Sequence, residues 1–161
     1  MWLAMVGVLL PPPARAAVDP AGLWLTQDAD GVVAVTHCGA ALCAHVAGIT
    51  LDHPDDPIPR DADGGSRCGA VLVRDGRQTE PGVWTGHITD PRDGSTYRMR
   101  LWLDGSGRLH LRGYLLIPLL GRSVVWTRFA GRVPPDCRMP PNLATLPPSQ
   151  PAGENGHATA R

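Results

Sequence analysis

Along the middle of the chain, apolar side chains recur at every second position in short blocks, and clusters rich in glycine or aspartate separate the blocks. The blocks are Leu23 to Thr26, Val32 to His37, Leu42 to Ile49, Ala70 to Arg74, Val83 to Thr89, Thr96 to Leu103, Leu109 to Leu115 and Val124 to Arg128. No stretch of helical length carries a sustained three-and-four repeat. The pattern therefore predicts eight strands and at most a short turn within Leu115 to Gly121. Between the blocks, Asp28-Ala29-Asp30-Gly31, Asp75-Gly76, Asp90-Pro91-Arg92-Asp93-Gly94 and Asp104-Gly105-Ser106-Gly107 supply the positive-φ residues and self-capping carboxylates that hairpin turns need.

Eight strands joined mainly by tight turns form a meander. Left open, it would expose two strand edges; closing the first strand on the last removes both and gives the alternating apolar residues one interior. The predicted fold is all-β, a small antiparallel, eight-stranded, up-and-down β-barrel spanning residues 17–132. On Thr96 to Leu103, Tyr97, Met99 and Leu101 share one face while Arg98, Arg100 and Trp102 share the other. On the next strand Leu109, Leu111 and Gly113 oppose His110, Arg112 and Tyr114. The period does not say which set points inward.

Two roles are open to the polar set. Tyr97, Arg98, Arg100, Trp102, Arg112 and Tyr114 could give a cavity a guanidinium and aromatic lining suited to a small amphipathic or anionic ligand. Alternatively, the arginines form an outer face that keeps a small barrel soluble. The segment Asp52 to Arg67 contains His53-Pro54-Asp55-Asp56-Pro57-Ile58-Pro59 and cannot be a strand interior, so it is either the rim or lid of a binding cavity or a disordered insertion, and the pattern does not choose between them. Its aspartates 55, 56, 61 and 63 do not have calcium-loop spacing, and no metal or cofactor is expected.

The chain ends modify this picture. Met1 to Leu10 is an apolar run too short to span a bilayer, and Ala14-Arg15-Ala16-Ala17 is a small-x-small processing pattern. Together they predict a signal peptide over residues 1–16 and a periplasmic or secreted protein, although no Lys or Arg precedes the apolar run. Residues 133–161, mostly Pro, Ala, Ser, Asn and Gly, are expected to be a largely disordered tail anchored near Cys137, with Leu143 and Leu146 incidental. Cys38, Cys43, Cys68 and Cys137 allow three disulfide pairings. Zinc is the rival use, but Cys38-x4-Cys43 is wider than a zinc knuckle. The expected bridges are Cys38 to Cys43 across the second turn and Cys68 to Cys137, tying the chain after the last strand to the start of the fourth.

Fifteen basic residues balance fifteen acidic ones, and the basic ones, all arginine, form no block. The sequence thus carries no linear footprint for nucleic acid or an acidic membrane, and a monomer is the default. Nucleophilic catalysis needs a Ser or Cys beside a His and an acid, yet Ser66, Ser95, Ser106 and Ser123 lie in turns or loops. Asp90 or Asp93 with His87 is the remaining acid-base pair, in a setting that a turn also explains. No catalytic residue is assigned; a hydrolase-like enzyme and a ligand-free envelope scaffold or adaptor stand as alternatives to a binding module.

One ordered series of motifs adds a resemblance. Gly22-Leu23-Trp24, Cys38-Gly39-Ala40-Ala41-Leu42-Cys43, Cys68-Gly69, Asp90 to Tyr97, Leu111-Arg112-Gly113-Tyr114 and Gly121 to Arg128 run in that order. The series resembles the bacterial exported family catalogued as domain of unknown function 2147, over about Ala21 to Phe129. That resemblance implies a lipocalin-like barrel, periplasmic or secreted, with no agreed activity. In the wider lipocalin-like class it implies that Trp24 closes the barrel floor and that Arg128 lies across it, on the closing strand that also carries Trp126. The Pro-rich tail and Cys137 depart from many members of that family.

Overall fold

A computed structural model describes residues 19–143; the expected signal peptide and the end of the tail, Leu146 included, lie outside them. Nine strands occur in the order β1 (Gly22–Leu25), β2 (Gly31–Cys38), β3 (Ala41–Thr50), β4 (Val71–Glu80), β5 (Val83–Thr89), β6 (Thr96–Leu103), β7 (Leu109–Tyr114), β8 (Arg122–Arg128) and β9 (Arg138–Met139). A 3-10 turn, Pro118–Leu120, lies between β7 and β8 and is the one helical element among the described residues. Strands β1 to β8 pair in sequence, each antiparallel to the next, and β1 also pairs with β8, so the sheet is a closed eight-stranded up-and-down barrel.

The closing seam is short. Main-chain pairing between β1 and β8 joins Trp24 to Arg128 and Leu25 to Thr127. Beyond it, the Gln27 side-chain carbonyl accepts a hydrogen bond from the Val125 amide at 3.0 Å, doing the work of a strand that has already turned away. Strand β4 is longer than the sequence suggests because Asp75-Gly76 is not a turn. Gly76 lies inside β4 opposite Leu42, where a Cβ would stand 2.8 Å from the Leu42 carbonyl oxygen. Glycine there permits close strand approach, and the chain reverses instead around Gly82, which has φ 76°.

Met99 and Leu101 are 0% and 1% exposed, which settles the direction of β6: the apolar set points inward. They pack with Trp24, Val35, Leu42, Val73, Trp84 and Leu109 in a solid core toward one end of the barrel. There the Trp24 ring is fully buried, and the Arg128 guanidinium lies 4.2 Å from its centroid. Arg128 donates to the carbonyls of Ala21 and Asp19 at 2.9 and 3.4 Å, and the Trp24 indole N–H donates to the Pro20 carbonyl at 2.9 Å. This end is the floor, as the lipocalin-like resemblance implies.

Gly22 is part of the same device. Its φ is +143°, and a Cβ would collide with the Arg128 guanidinium. Gly22→Ala should therefore cost about 1–3 kcal/mol through backbone strain and displacement of Arg128. A lower urea midpoint with an unchanged slope is the expected result.

Residues past β8 are not all loose. β9 runs parallel to the end of β3, pairing Ile49 with Arg138 and Thr50 with Met139, where β4 has left that edge. Met139 and Leu143 close a second apolar cluster with Val32, against Leu23, Leu25, Ala47, Phe129 and Val133 on the outside of the barrel. Leu143, given no role by its surroundings in the sequence, is 3% exposed. The outward faces of β1 to β3 are apolar and require a cover, and the chain after β8 supplies it. Both expected disulfides are formed, Cys38 to Cys43 and Cys68 to Cys137.

Candidate functional site

In an up-and-down barrel, alternate connections lie at the same end. The turns β2 to β3, β4 to β5 and β6 to β7 surround the floor, while the connections β1 to β2, β3 to β4, β5 to β6 and β7 to β8 surround the mouth. Below the mouth lies a cavity of about 340 Å³. That is at the small end of the roughly 300–1,000 Å³ range of ligand pockets. Its wall is apolar, with Val33, Val46, Leu72, Ile88, Leu111, Val124 and Trp126. Its rim is polar: Thr26, Gln27, Asp28 and Asp30 come from the first connection, Arg67 from the second, Asp90 and Arg92 from the third, and Tyr97 and Arg122 from the adjoining strand ends.

The long loop is ordered at this rim. Asp61 accepts from the backbone N–H groups of Asp63 and Gly65 at 3.1 and 2.6 Å, and Arg60 donates to the Gly64 carbonyl at 2.7 Å. The Ala62 amide reaches the Pro91 carbonyl at 3.0 Å, joining the loop to the β5–β6 turn. Across the opening, Arg92 forms an ion pair with Asp30, which also accepts a hydrogen bond from the Thr26 hydroxyl at 2.5 Å. The first and third connections face each other over an eight-stranded barrel, so this pair straps the mouth. Both side chains are roughly half exposed, and such a pair contributes only about 0–1 kcal/mol. Opening the strap is therefore energetically easy.

Of the six side chains considered from sequence as a ligand lining, only Tyr97 borders the cavity. Arg98, Arg100, Trp102, Arg112 and Tyr114 alternate with inward residues and lie on the outside of β6 and β7. The lumen therefore takes no guanidinium from β6 or β7. Arg100 pairs with Glu80 at 3.4 Å, and Trp102 stacks on His110 with centroids 5.2 Å apart. Arg67, Arg92 and Arg122 are the arginines at the cavity; the first two lie in connections, where alternation says nothing, and Arg122, on the face of Val124 and Trp126, precedes the Val124 to Arg128 block that the sequence pattern marks.

The polar groups weighed for acid-base chemistry are arranged differently from expectation. His87 bonds to Asp75 at 2.7 Å rather than to Asp90 or Asp93, and that bond leads in holding the Asp75 carboxyl below its ordinary pKa. At the floor, Asp104 accepts from the Ser106 hydroxyl at 2.6 Å and bonds to His110 at 2.8 Å. The serine, followed by the histidine, holds the Asp104 carboxyl far below the usual range. Here the carboxylate is central, and it clamps the β6–β7 turn together with the amides of Ser106 and Arg108.

Residues 22–128, most of the chain and the entire barrel, match the family described as "Uncharacterized protein conserved in bacteria (DUF2147)". The chain belongs to the DUF2147 family. No curated protein matches it. Among solved structures, it is similar to protein HP1028 from the human pathogen Helicobacter pylori, which is described as belonging to the lipocalin family. The two share 19% sequence identity with a TM-score of 0.58, over 69% of this chain and 83% of that one. At that identity the likeness concerns fold: this DUF2147 member has a lipocalin-like barrel.

Proposed function

We propose that this DUF2147 protein is an exported binding module that takes a small amphipathic molecule, apolar end first, and holds an anionic head at the mouth. The observation that carries this reading is the division of the cavity into an apolar wall and a rim holding Tyr97 and Arg122. Among the described residues, neither the Tyr97 hydroxyl nor the Arg122 guanidinium has a hydrogen-bond partner, so both are available to a carboxylate or phosphate. Export is supported by the leader-like first residues and by two disulfides, which persist in oxidising compartments.

Dansyl-labelled undecanoate provides a test. Its fluorescence should rise on titration with the protein, and Ile88→Trp, which fills the lumen, should abolish the rise. Arg122→Gln should weaken binding of the acid about tenfold or more while sparing the matching alcohol, because only the acid forms a charge-assisted hydrogen bond. Absence of any rise, coupled with ligand-free protein on native mass spectrometry from its own cell envelope, would favour the scaffold reading. Equal weakening of acid and alcohol would remove the anionic head from the proposal.

A further inference from the structure

The connection between β7 and β8 is unlike every other at the mouth. Leu115, Leu116, Ile117, Leu119 and Leu120 are between 49% and 81% exposed, and no charged residue interrupts them from Tyr114 to Gly121. Contiguous exposed leucines of this kind mark an interaction surface. The second half of the loop is held in shape by its own backbone and by Arg112. The amides of Leu120 and Gly121 donate to Ile117 and Pro118 carbonyls, and proline has no amide to satisfy. Arg112 then donates to the carbonyls of Pro118 and Leu119 and, at 2.7 Å, to the Ser123 hydroxyl, gripping the loop from below. The amides of Leu115, Leu116 and Ile117 have no protein partner among the described residues, so the backbone stays at the hydrated interface while the side chains reach the hydrocarbon.

A second feature adjoins it. The sheet register aligns Arg100 with Arg112 on the outer face, with Arg77 two strands away in the same row through Thr85, and aligns Arg98 with Tyr114. These arginines come from separate strands, so the sequence shows no basic run where the fold builds a flank on which Arg77, Arg98, Arg100 and Arg112 outnumber Glu80, paired with Arg100, and Asp75, bonded to His87. We propose that the Leu115–Leu120 loop inserts into an anionic lipid bilayer while the β6–β7 flank rests on its headgroups. Tyr114, between loop and arginines, lies where amphipathic aromatics favour the interface. The other mouth connections are net acidic, with Asp28 and Asp30 against no arginine in the first, Asp52, Asp55, Asp56, Asp61 and Asp63 against Arg60 and Arg67 in the second, and Asp90 and Asp93 against Arg92 in the third, so they favour such a surface less than the β6–β7 side does. They tilt the barrel onto its β6–β7 side and leave the mouth beside the membrane. Docking of this kind does not depend on what the lumen holds.

Co-sedimentation of the purified protein with phosphatidylglycerol-containing vesicles, compared with pure phosphatidylcholine vesicles, tests the surface. The protein should pellet with the anionic vesicles and be released by salt. Leu116→Asp with Leu119→Asp should lower partitioning at least about tenfold, since burying one leucine is worth more than a decade in an equilibrium constant. Arg98→Gln and Arg100→Gln, which leave the loop untouched, should each lower it about fivefold. On the unmodified protein, amide exchange in residues 114–122 should slow when anionic vesicles are added, a readout that needs no variant to fold. Failure to pellet, pelleting that ignores the leucine substitutions, or unchanged exchange in that segment would overturn the proposal. So would a concentration-dependent dimer that the same leucine substitutions abolish, because a second copy would then cover the loop.

Discussion

Replacing Cys68 and Cys137 together by serine is expected to remove about 4 to 5 kcal/mol of stability on the chain-entropy estimate. The bridge spans 69 residues and so restrains most of the barrel in the unfolded chain. It also holds Cys137, at φ 60°, next to the two-residue β9 strand and its buried Met139. Losing it should release β9 and uncover the outer cluster around Val32 as well as loosen the unfolded ensemble. The Cys38–Cys43 bridge has a sequence separation of only 5, and the same estimate gives it about 2 kcal/mol. Urea unfolding of the two double-serine proteins checks the ranking; equal midpoints would contradict it.

The second large effect is expected at the floor. Trp24→Ala removes a fully buried indole and should cost about 3–5 kcal/mol. It also leaves the Arg128 guanidinium without its aromatic neighbour at 4.2 Å. Trp24→Phe keeps a flat ring while losing the N–H bond to Pro20, and should retain most of the stability. Arg128→Lys keeps the charge but loses the fork that reaches both Ala21 and Asp19, with an expected loss of about 1 kcal/mol or more. Denaturation midpoints that follow the order wild type, Trp24→Phe, Trp24→Ala would confirm that the ring itself closes the barrel.

The strands were legible because period-two alternation and turn chemistry are local properties. Where one local signal had two meanings, legibility failed: Asp75-Gly76 reads as a hairpin turn, yet Gly76 serves close packing against Leu42. The inward face of β6 was ambiguous because Trp102 and Tyr97 sit on opposite faces, so bulk alone did not separate core from exterior. Leu143 gave no signal because its partners, Val32 and Met139, are far from it in sequence or inconspicuous beside prolines. The rim residues lie mainly in connections, where periodicity has nothing to say. The parity of connections in an up-and-down barrel would have found them: every second connection meets at one end, which brings Asp30, Arg67 and Arg92 together around one opening.

The seam between β1 and β8 also fixes an order of events during synthesis. Trp24 and Arg128 are the first and last partners of the barrel, so nascent chain that stops short of β8 has an unpaired β1 edge however well the intervening hairpins have formed. Closure must wait until nearly the whole domain has emerged, and the outer cover, with Cys137, arrives later still. Until then the outward leucines of β1 remain wet, and a chain held unfolded for passage through a membrane would keep that edge from pairing with a neighbour.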